Sequence, residues 1–225
     1  MCGRFAQRTD SKKLAKAFGA YEVPAVEPRY NIAPTQDILG VVQSEDGREV
    51  TLYKWGLIPS WAKDKSMGSR LINARSETVG EKPAFREAFK KRRCIIPADG
   101  FYEWQRTEDK KQPFFFRMRD ESPFGFAGLW ERWEGNGKEA INSCTILTTE
   151  ANEVIRPVHD RMPVILHSND YELWLDSDVR KLDLVKELLI PYPADEMRSY
   201  PVSTSINSPR NQGAELIEQM VVNSA

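Results

Sequence analysis

RCIIPADGFYEWQRTEDKKQPFFFRMRDESPFGFAGLWE, residues 93–131, reads as a series of short strands cut by turn residues. Arg93–Ala98, Phe101–Gln105, Pro113–Arg119 and Phe124–Glu131 are rich in β-branched and aromatic residues, and Asp, Gly, Pro and Ser break them apart. The pattern continues outward in both directions, to Ile141–Thr149 downstream and to Asp37–Gln43 and Glu49–Trp55 upstream. Glu45-Asp46-Gly47 marks a turn between the two upstream runs. Glu134-Gly135-Asn136-Gly137 predicts a hairpin joining Phe124–Glu131 to Ile141–Thr149. The aromatic segment Pro113–Phe116 reads as core.

Helical signals are fewer. Asp10 or Ser11 caps a predicted helix carrying Leu14 and Phe18, stopped near Gly19. Pro83–Lys91 opens with proline and sets Phe85 and Phe89 at i, i+4 spacing. Ser168–Asp176 and Val179–Ile190 also read as helices, the second with Leu182, Val185, Leu188 and Leu189 on one face. No repeat or linker divides the chain. The expected fold is α+β, one domain over residues 1–225, with an antiparallel, barrel-like sheet at the core and helices at the periphery.

A chain of 225 residues can bury a core without disulfides or metals to hold it. The net charge of −1 and pI near 6.2 exclude a broadly basic coat for nucleic acid. With 32 Lys and Arg, a local basic groove is still open. The three cysteines, Cys2, Cys94 and Cys144, include no CxxC, which argues against a disulfide framework or structural zinc. No metal or other cofactor is expected. The opening MCGRFAQRTD lacks the apolar segment of a secretory leader, and runs such as Cys94–Ala98 and Cys144–Leu147 are too short to span a membrane. A cytoplasmic location with no membrane partner is expected.

The chemistry concentrates at Cys2. Initiator Met is commonly removed before a small residue, and its loss would leave an α-amine and a thiol on one residue. The amine's ordinary pKa is about 8 and the thiol's about 8.5, so part of the amine is nucleophilic at neutral pH. Such an aminothiol condenses with an aldehyde to an imine, which the thiol closes to a five-membered thiazolidine. The ring-opened sugar of an abasic site is a biological aldehyde. Class II glutamine amidotransferases also begin Met-Cys-Gly, but their Asn-Gly-Glu loop and Gly-His-Arg segment are missing; the histidines here are His159 and His167.

Other candidates surround this idea. Glu103, among Phe101, Tyr102 and Trp104, could have a carboxyl pushed toward the general acid/base range by desolvation, or be a solvent-facing strand residue. His159, beside Asp160 and Arg161, can pass protons near neutral pH or simply bond within the structure. His167 precedes a helix cap and reads as solvated. Asn73 carries an amide that both donates and accepts, suited to a sugar hydroxyl or to fixing Cys2. Arg4, Arg75 and Arg161 lie close in sequence to these residues and are candidate phosphate contacts, or else surface ion pairs. Trp61 is a candidate stacking surface for an unpaired base. The run Lys90-Lys91-Arg92-Arg93 reads as a solvated face complementing a helix dipole.

Taken in order, Cys2-Gly3-Arg4-Phe5, Tyr30-Asn31-Ile32-Ala33-Pro34, Trp55-Gly56-Leu57-Ile58-Pro59, Asn73-Ala74-Arg75, the segment Ala98–Trp104 and His159-Asp160-Arg161-Met162-Pro163 resemble the SRAP family, the SOS-response-associated peptidases. Pro201-Val202-Ser203 and the stretch Asn211–Leu216 fit as well, so the resemblance spans nearly the whole chain. It implies a compact α+β domain around a barrel-like sheet, a maturation step that removes Met1, and a thiazolidine between Cys2 and an abasic site in single-stranded DNA. By the same resemblance, Cys2 is the nucleophile and Asn73 orients Cys2 or the sugar. Glu103 serves ring opening, proton transfer and crosslink reversal, and His159 stabilises the sugar oxygen. Arg4, Arg75 and Arg161 are the expected phosphate contacts and Trp61 the base contact. The protein is expected to act as a monomer, nucleoid-associated when bound to DNA, with weak lyase activity through the imine. Two alternatives stay open: a peptidase or amidohydrolase acting in trans through Cys2, His159 and Glu103, and a non-catalytic reader of unpaired or modified bases.

Overall fold

The computed structural model describes residues 2–106, 111–135, 140–179 and 181–220. Among the described residues the strands run in chain order as β1 (Phe5–Gln7), β2 (Arg29–Ile32), β3 (Asp37–Ser44), β4 (Gly47–Trp55), β5 (Asn73–Arg75), β6 (Arg93–Ala98), β7 (Gly100–Arg106), β8 (Lys111–Met118), β9 (Phe124–Trp133), β10 (Ile141–Glu150), β11 (Arg161–Pro163), β12 (Ile165–Leu166) and β13 (Met197–Pro201). The helices are α1 (Ser11–Phe18), α2 (Arg86–Lys91), α3 (Tyr171–Leu175) and α4 (Leu182–Lys186).

Five strands close on themselves. β4 pairs with β3, β3 with β6, β6 with β9, β9 with β10, and β10 returns to β4. Closure removes the open edges that would otherwise invite pairing with other chains. The barrel-like expectation therefore holds, with one difference. β10 runs parallel to both β4 and β5, so the sheet is mixed. A parallel neighbour comes from a distant part of the chain and leaves no hairpin signal in the sequence. A second sheet, in the order β13-β8-β7-β1-β2, is antiparallel throughout.

The expected strands correspond to β3, β4 and β6–β10, with ends displaced by no more than two residues. Glu45 and Asp46 form the two-residue turn of the β3–β4 hairpin, and Gly47 follows at φ 121°, a value open mainly to glycine. The antiparallel register Trp133↔Ile141 bears out the β9–β10 hairpin. Asn136 and Gly137 of its expected turn lie outside the described residues.

A shared aromatic core joins the sheets. The Phe5 ring meets Trp55 edge-on at 5.3 Å and Phe126 at 5.8 Å, while Phe101 stacks on Phe116 at 5.1 Å. Each fully buried ring of this kind contributes about 1.5–3 kcal/mol. Phe115 and Phe116 are buried, as the aromatic segment suggested. The approach of β8 to β7 demands glycine at position 100, where a Cβ would sit 2.2 Å from the Phe115 ring.

Three of the four helices are shorter than their sequence patterns. α1 behaves as expected: Asp10 accepts the Lys13 N–H at 3.0 Å and Gly19 ends the helix at φ 62°. α2 begins at Arg86, since Phe85 sits at φ −124°, outside helical values. Around Ser168–Asp170 the chain is a 3-10 turn that leads into α3. α4 ends early because Leu188 and Leu189 donate three residues back, to Val185 and Lys186, tightening the chain. Arg180, within the expected Val179–Ile190 helix, lies outside the described residues. Among the described residues no helix is long and apolar enough to cross a membrane.

One expectation is overturned. Arg93, assigned with its basic neighbours to a solvated face, is only 3% exposed. Its guanidinium donates to the carbonyls of Phe89 (2.7 Å), Lys90 (2.8 Å), Trp174 (2.6 Å) and Asp176. It thereby satisfies the orphan C-terminal carbonyls of α2 and α3 together. Lys90 and Lys91 are exposed as expected.

Candidate functional site

Cys2 lies just ahead of β1, wholly buried in the core cluster that includes Phe5, Trp55 and Phe101. Its Sγ is 3.8 Å from the Arg4 carbonyl oxygen. Burial, aided by the negative charge of Glu103, pushes the thiol well above its ordinary range. It therefore sits as a thiol. Cys94 and Cys144 are buried too, with thiols raised by desolvation.

Asn73 opens β5, in parallel register with Ile146 of β10. That placement aims its side chain across at the N-terminal segment, where Nδ2 donates to the Cys2 carbonyl at 2.9 Å. The Oδ1 of the same amide is buried without a partner among the described residues.

Glu103 lies opposite Phe114 in the β7–β8 pair and is 4% exposed. The solvent-facing reading of this residue is thus excluded. Strand alternation puts it on the same face as Phe101, toward the cluster holding Cys2. Burial raises its carboxyl pKa, and the nearby His159 works against the rise. Glu103 is within electrostatic reach of both Cys2 and His159.

His159 stands before β11, at the end of a turn closed by its N–H on the Ile155 carbonyl (2.9 Å). Its Nδ1 accepts the Arg161 N–H at 2.9 Å and also lies 2.9 Å from an Asp160 carboxylate oxygen. One nitrogen cannot accept from an amide and donate to a carboxylate at once. Asp160 is almost fully solvated, so its pull is screened, and the amide contact decides. A ring that accepts at Nδ1 carries its proton on Nε2.

Glu103 and His159 share the wall of a polar groove of about 840 Å³. Trp104, Arg106, Lys111, Asp160 and Asn207 complete its lining with the adjoining residues of β7 and the 157–160 turn. Trp104 Nε1 donates to Asn207 Oδ1 at 2.7 Å and Gln105 Nε2 to the Pro157 carbonyl at 3.1 Å, pinning the walls together. Sequence reasoning missed Lys111, Arg106 and Asn207. Arg106 and Lys111 face each other at the ends of β7 and β8, and Asn207 comes from the remote C-terminal segment; none carries a local signal.

The expected nucleic-acid contacts are placed differently. Trp61 is 58% exposed, open to a stacking partner. Arg75 is exposed at the end of β5. Arg4 turns inward: its Nη1 donates to Asn31 Oδ1 (2.8 Å) and to the Ile206 carbonyl (3.0 Å). Asn31 is wholly buried, and its amide also donates to the carbonyls of Ile206, Ser208 and Asn211. Asn31 thus ties the start of the chain to its C-terminal segment. Arg161 is engaged by Glu77 and the Thr148 carbonyl. His167 is exposed, with its ring stacked on Tyr192 at 4.6 Å.

Comparison with known proteins places this geometry in context. A family profile described as SOS response associated peptidase (SRAP) matches residues 1–209. Abasic site processing protein YoaM of Bacillus subtilis is 42% identical over 222 residues, covering 97% of this chain and 98% of the relative. Abasic site processing protein YedK of Escherichia coli is 33% identical over 226 residues, with 97% and 99% covered. Among solved structures, a Bacteroides thetaiotaomicron protein superposes with a TM-score of 0.87 at 26% identity, covering 98% of this chain and 100% of that one. A Bordetella bronchiseptica protein gives 0.78 at 32% identity, covering 90% and 100%.

Proposed function

The chain belongs to the SOS response associated peptidase (SRAP) family, and on that premise we propose that it processes abasic sites in single-stranded DNA by bonding to them through Cys2. The observation that carries the reading is the Asn73 amide on the Cys2 carbonyl, beside a buried Glu103 that shares a polar groove with His159. Relatives along the whole chain bear the name abasic site processing protein.

Loss of Met1 gives Cys2 an α-amine next to its thiol. The amine attacks the aldehyde carbon of the ring-opened sugar, and water leaves as the carbon–nitrogen double bond forms. The thiol then adds across that bond: sulfur bonds to carbon and the proton goes to nitrogen. One water is released in all. The order follows from the burial of Cys2, since a thiol held protonated is a poor first nucleophile while the amine is a ready one.

Glu103, with its raised pKa, can be protonated closer to neutrality than an ordinary carboxyl. It hands a proton to the departing hydroxyl and takes one from the thiol. His159 Nε2–H steadies the sugar oxygen as the hemiacetal opens. Asn73 holds Cys2 in place and offers Oδ1 to a sugar hydroxyl. Arg4, Arg75 and Arg161 serve the phosphates and Trp61 a neighbouring base. The same reading includes removal of the chain's own Met1 and weak strand cleavage by elimination through the imine.

The test is a denaturing gel. Purified protein is incubated with single-stranded DNA carrying one abasic site, beside an intact control, and its mass is checked for loss of Met1. A heat-stable, abasic-dependent shifted band from protein lacking Met1 is expected. No band from protein lacking Met1 would reject the reading and bring forward amide hydrolysis in trans.

A further inference from the structure

Both terminal nitrogens of the Arg161 guanidinium are already engaged. Its Nη1 donates to Glu77 Oε1 at 2.5 Å and its Nη2 to Oε2 at 3.0 Å, a two-pronged carboxylate contact. Nη2 also donates to the Thr148 carbonyl at 2.6 Å. The Arg161 side chain is 15% exposed and that of Glu77 52%. A carboxylate across a guanidinium presents two oxygens much as a phosphate does.

The two partners come from the segments that flank the candidate site. Glu77 lies in the 3-10 turn Ser76–Thr78, directly after the strand that carries Asn73 and Arg75. Arg161 opens β11, and its own N–H holds the His159 ring. The pair therefore joins the segment that anchors Cys2 to the segment that aims His159. The bond from Arg161 lowers the Glu77 carboxyl pKa, with Arg75 adding to the effect.

We propose that Glu77 is a resident anion: it fills Arg161 in place of a DNA phosphate, must be displaced when DNA binds, and so weakens the hold on intact single strands. The proposal rests on the abasic-site reading and names a specificity residue within it. Glu77 can swing out without uncovering the core, because it is half exposed on a short turn. Arg161 stays aimed through Thr148 when the carboxylate leaves. Reversible binding to undamaged DNA bears the cost of that exchange. Covalent capture of an aldehyde does not depend on it once the bond has formed. The protein would thus release intact strands quickly and keep damaged ones.

The experiment uses the full chain lacking Met1, as wild type, Glu77→Gln and Glu81→Gln. Glu81 is an exposed acid four residues further on and gives the same change in net charge. Binding to an intact single-stranded oligonucleotide is followed by fluorescence anisotropy over a range of salt, and crosslinking to abasic DNA is run in parallel. Glu77→Gln is expected to bind intact DNA roughly three- to tenfold more tightly at low salt, with a slope of log K against log salt steeper by about 0.7. Glu81→Gln should change affinity less than about twofold. Adding Arg161→Gln to Glu77→Gln should abolish the gain. Equal behaviour of Glu77→Gln and Glu81→Gln, or weaker binding by Glu77→Gln, overturns the proposal while wild type still crosslinks. Failure of wild type itself to crosslink abasic DNA instead rejects the reading beneath it.

Discussion

Asn73 Nδ2 donates to the Cys2 carbonyl oxygen at 2.9 Å, and the Oδ1 at the other end of the same amide is buried without a partner among the described residues. A buried acceptor left unpaired costs about 1–3 kcal/mol. Such a cost is reasonable where a ligand supplies the donor. Asn73→Ala removes both the anchor and the orphan, so the two effects on stability oppose each other. The expected result is a thermal midpoint close to wild type and crosslinking slowed about tenfold or more through lost positioning. Asn73→Asp should lose the donor and repel the carbonyl, slowing crosslinking further. A single-turnover crosslinking time course checks both; wild-type rates in Asn73→Ala would remove the residue from the site.

Glu103 yields a pH signature. Burial raises its folded pKa above the unfolded value of about 4.3. Between the two pKa values the folded chain holds a proton that the unfolded chain has lost. The unfolded state then binds fewer protons, so stability falls as pH rises through that window. The contribution is wholly favourable only below the unfolded pKa. Glu103→Gln removes the titration, so the variant should gain stability relative to wild type as pH rises from 4 toward neutrality. Crosslinking should slow in the same variant, since Gln neither gives nor takes a proton. Denaturation midpoints measured across that pH range carry the test. A difference between variant and wild type that does not change with pH would sink the argument.

The sequence revealed the barrel better than its lining. β3, β4 and β6–β10 are long enough to show β-rich composition and are bounded by turn residues. β1, β5, β11 and β12 have two or three residues each, too few to show a period, and β1, β5 and β12 are held by partners far away in the chain. Cys2, Asn73, Glu103 and His159 could be chosen for their chemistry and for the motifs around them. Asn73 was a candidate for fixing Cys2, 71 residues away, but that it does so through the Cys2 carbonyl was not readable from either segment. Arg93 shows the reverse case. A basic run at a helix end signals a favourable dipole, but not that a second helix ends against the same guanidinium.

Arg93 therefore belongs to stability rather than to DNA binding. Arg93→Met keeps the apolar stem but strands the carbonyls of Phe89, Lys90, Trp174 and Asp176. Losing several charge-assisted bonds inside the protein should cost about 3–5 kcal/mol. Lys91→Gln, at an exposed neighbour, should cost less than about 0.5 kcal/mol. Chemical denaturation measures both. Near-equal losses would mean that the burial of Arg93 does not support the fold.

Cys2 separates the two halves of the proposed chemistry. Cys2→Ala keeps an α-amine once Met1 is gone but has no thiol, and Cys2→Ser keeps a hydroxyl too weak to close a stable ring. Both should form an imine with an abasic site that hydrolyses on denaturation. Borohydride should trap it as a secondary amine by reducing the carbon–nitrogen double bond. Wild type, with its ring closed, should give a heat-stable band without reductant. Each variant should therefore lose the untreated band and recover a band with borohydride, more fully in Cys2→Ser, which better preserves the polarity and shape of the site. The comparison requires that the mass of each variant confirm loss of Met1. A variant that keeps Met1 has no amine at Cys2, and its silence would then report on processing. If Cys2→Ala lacking Met1 crosslinks without reductant as well as wild type does, the bond lies elsewhere, and the burial of Cys2 between the two sheets is structural.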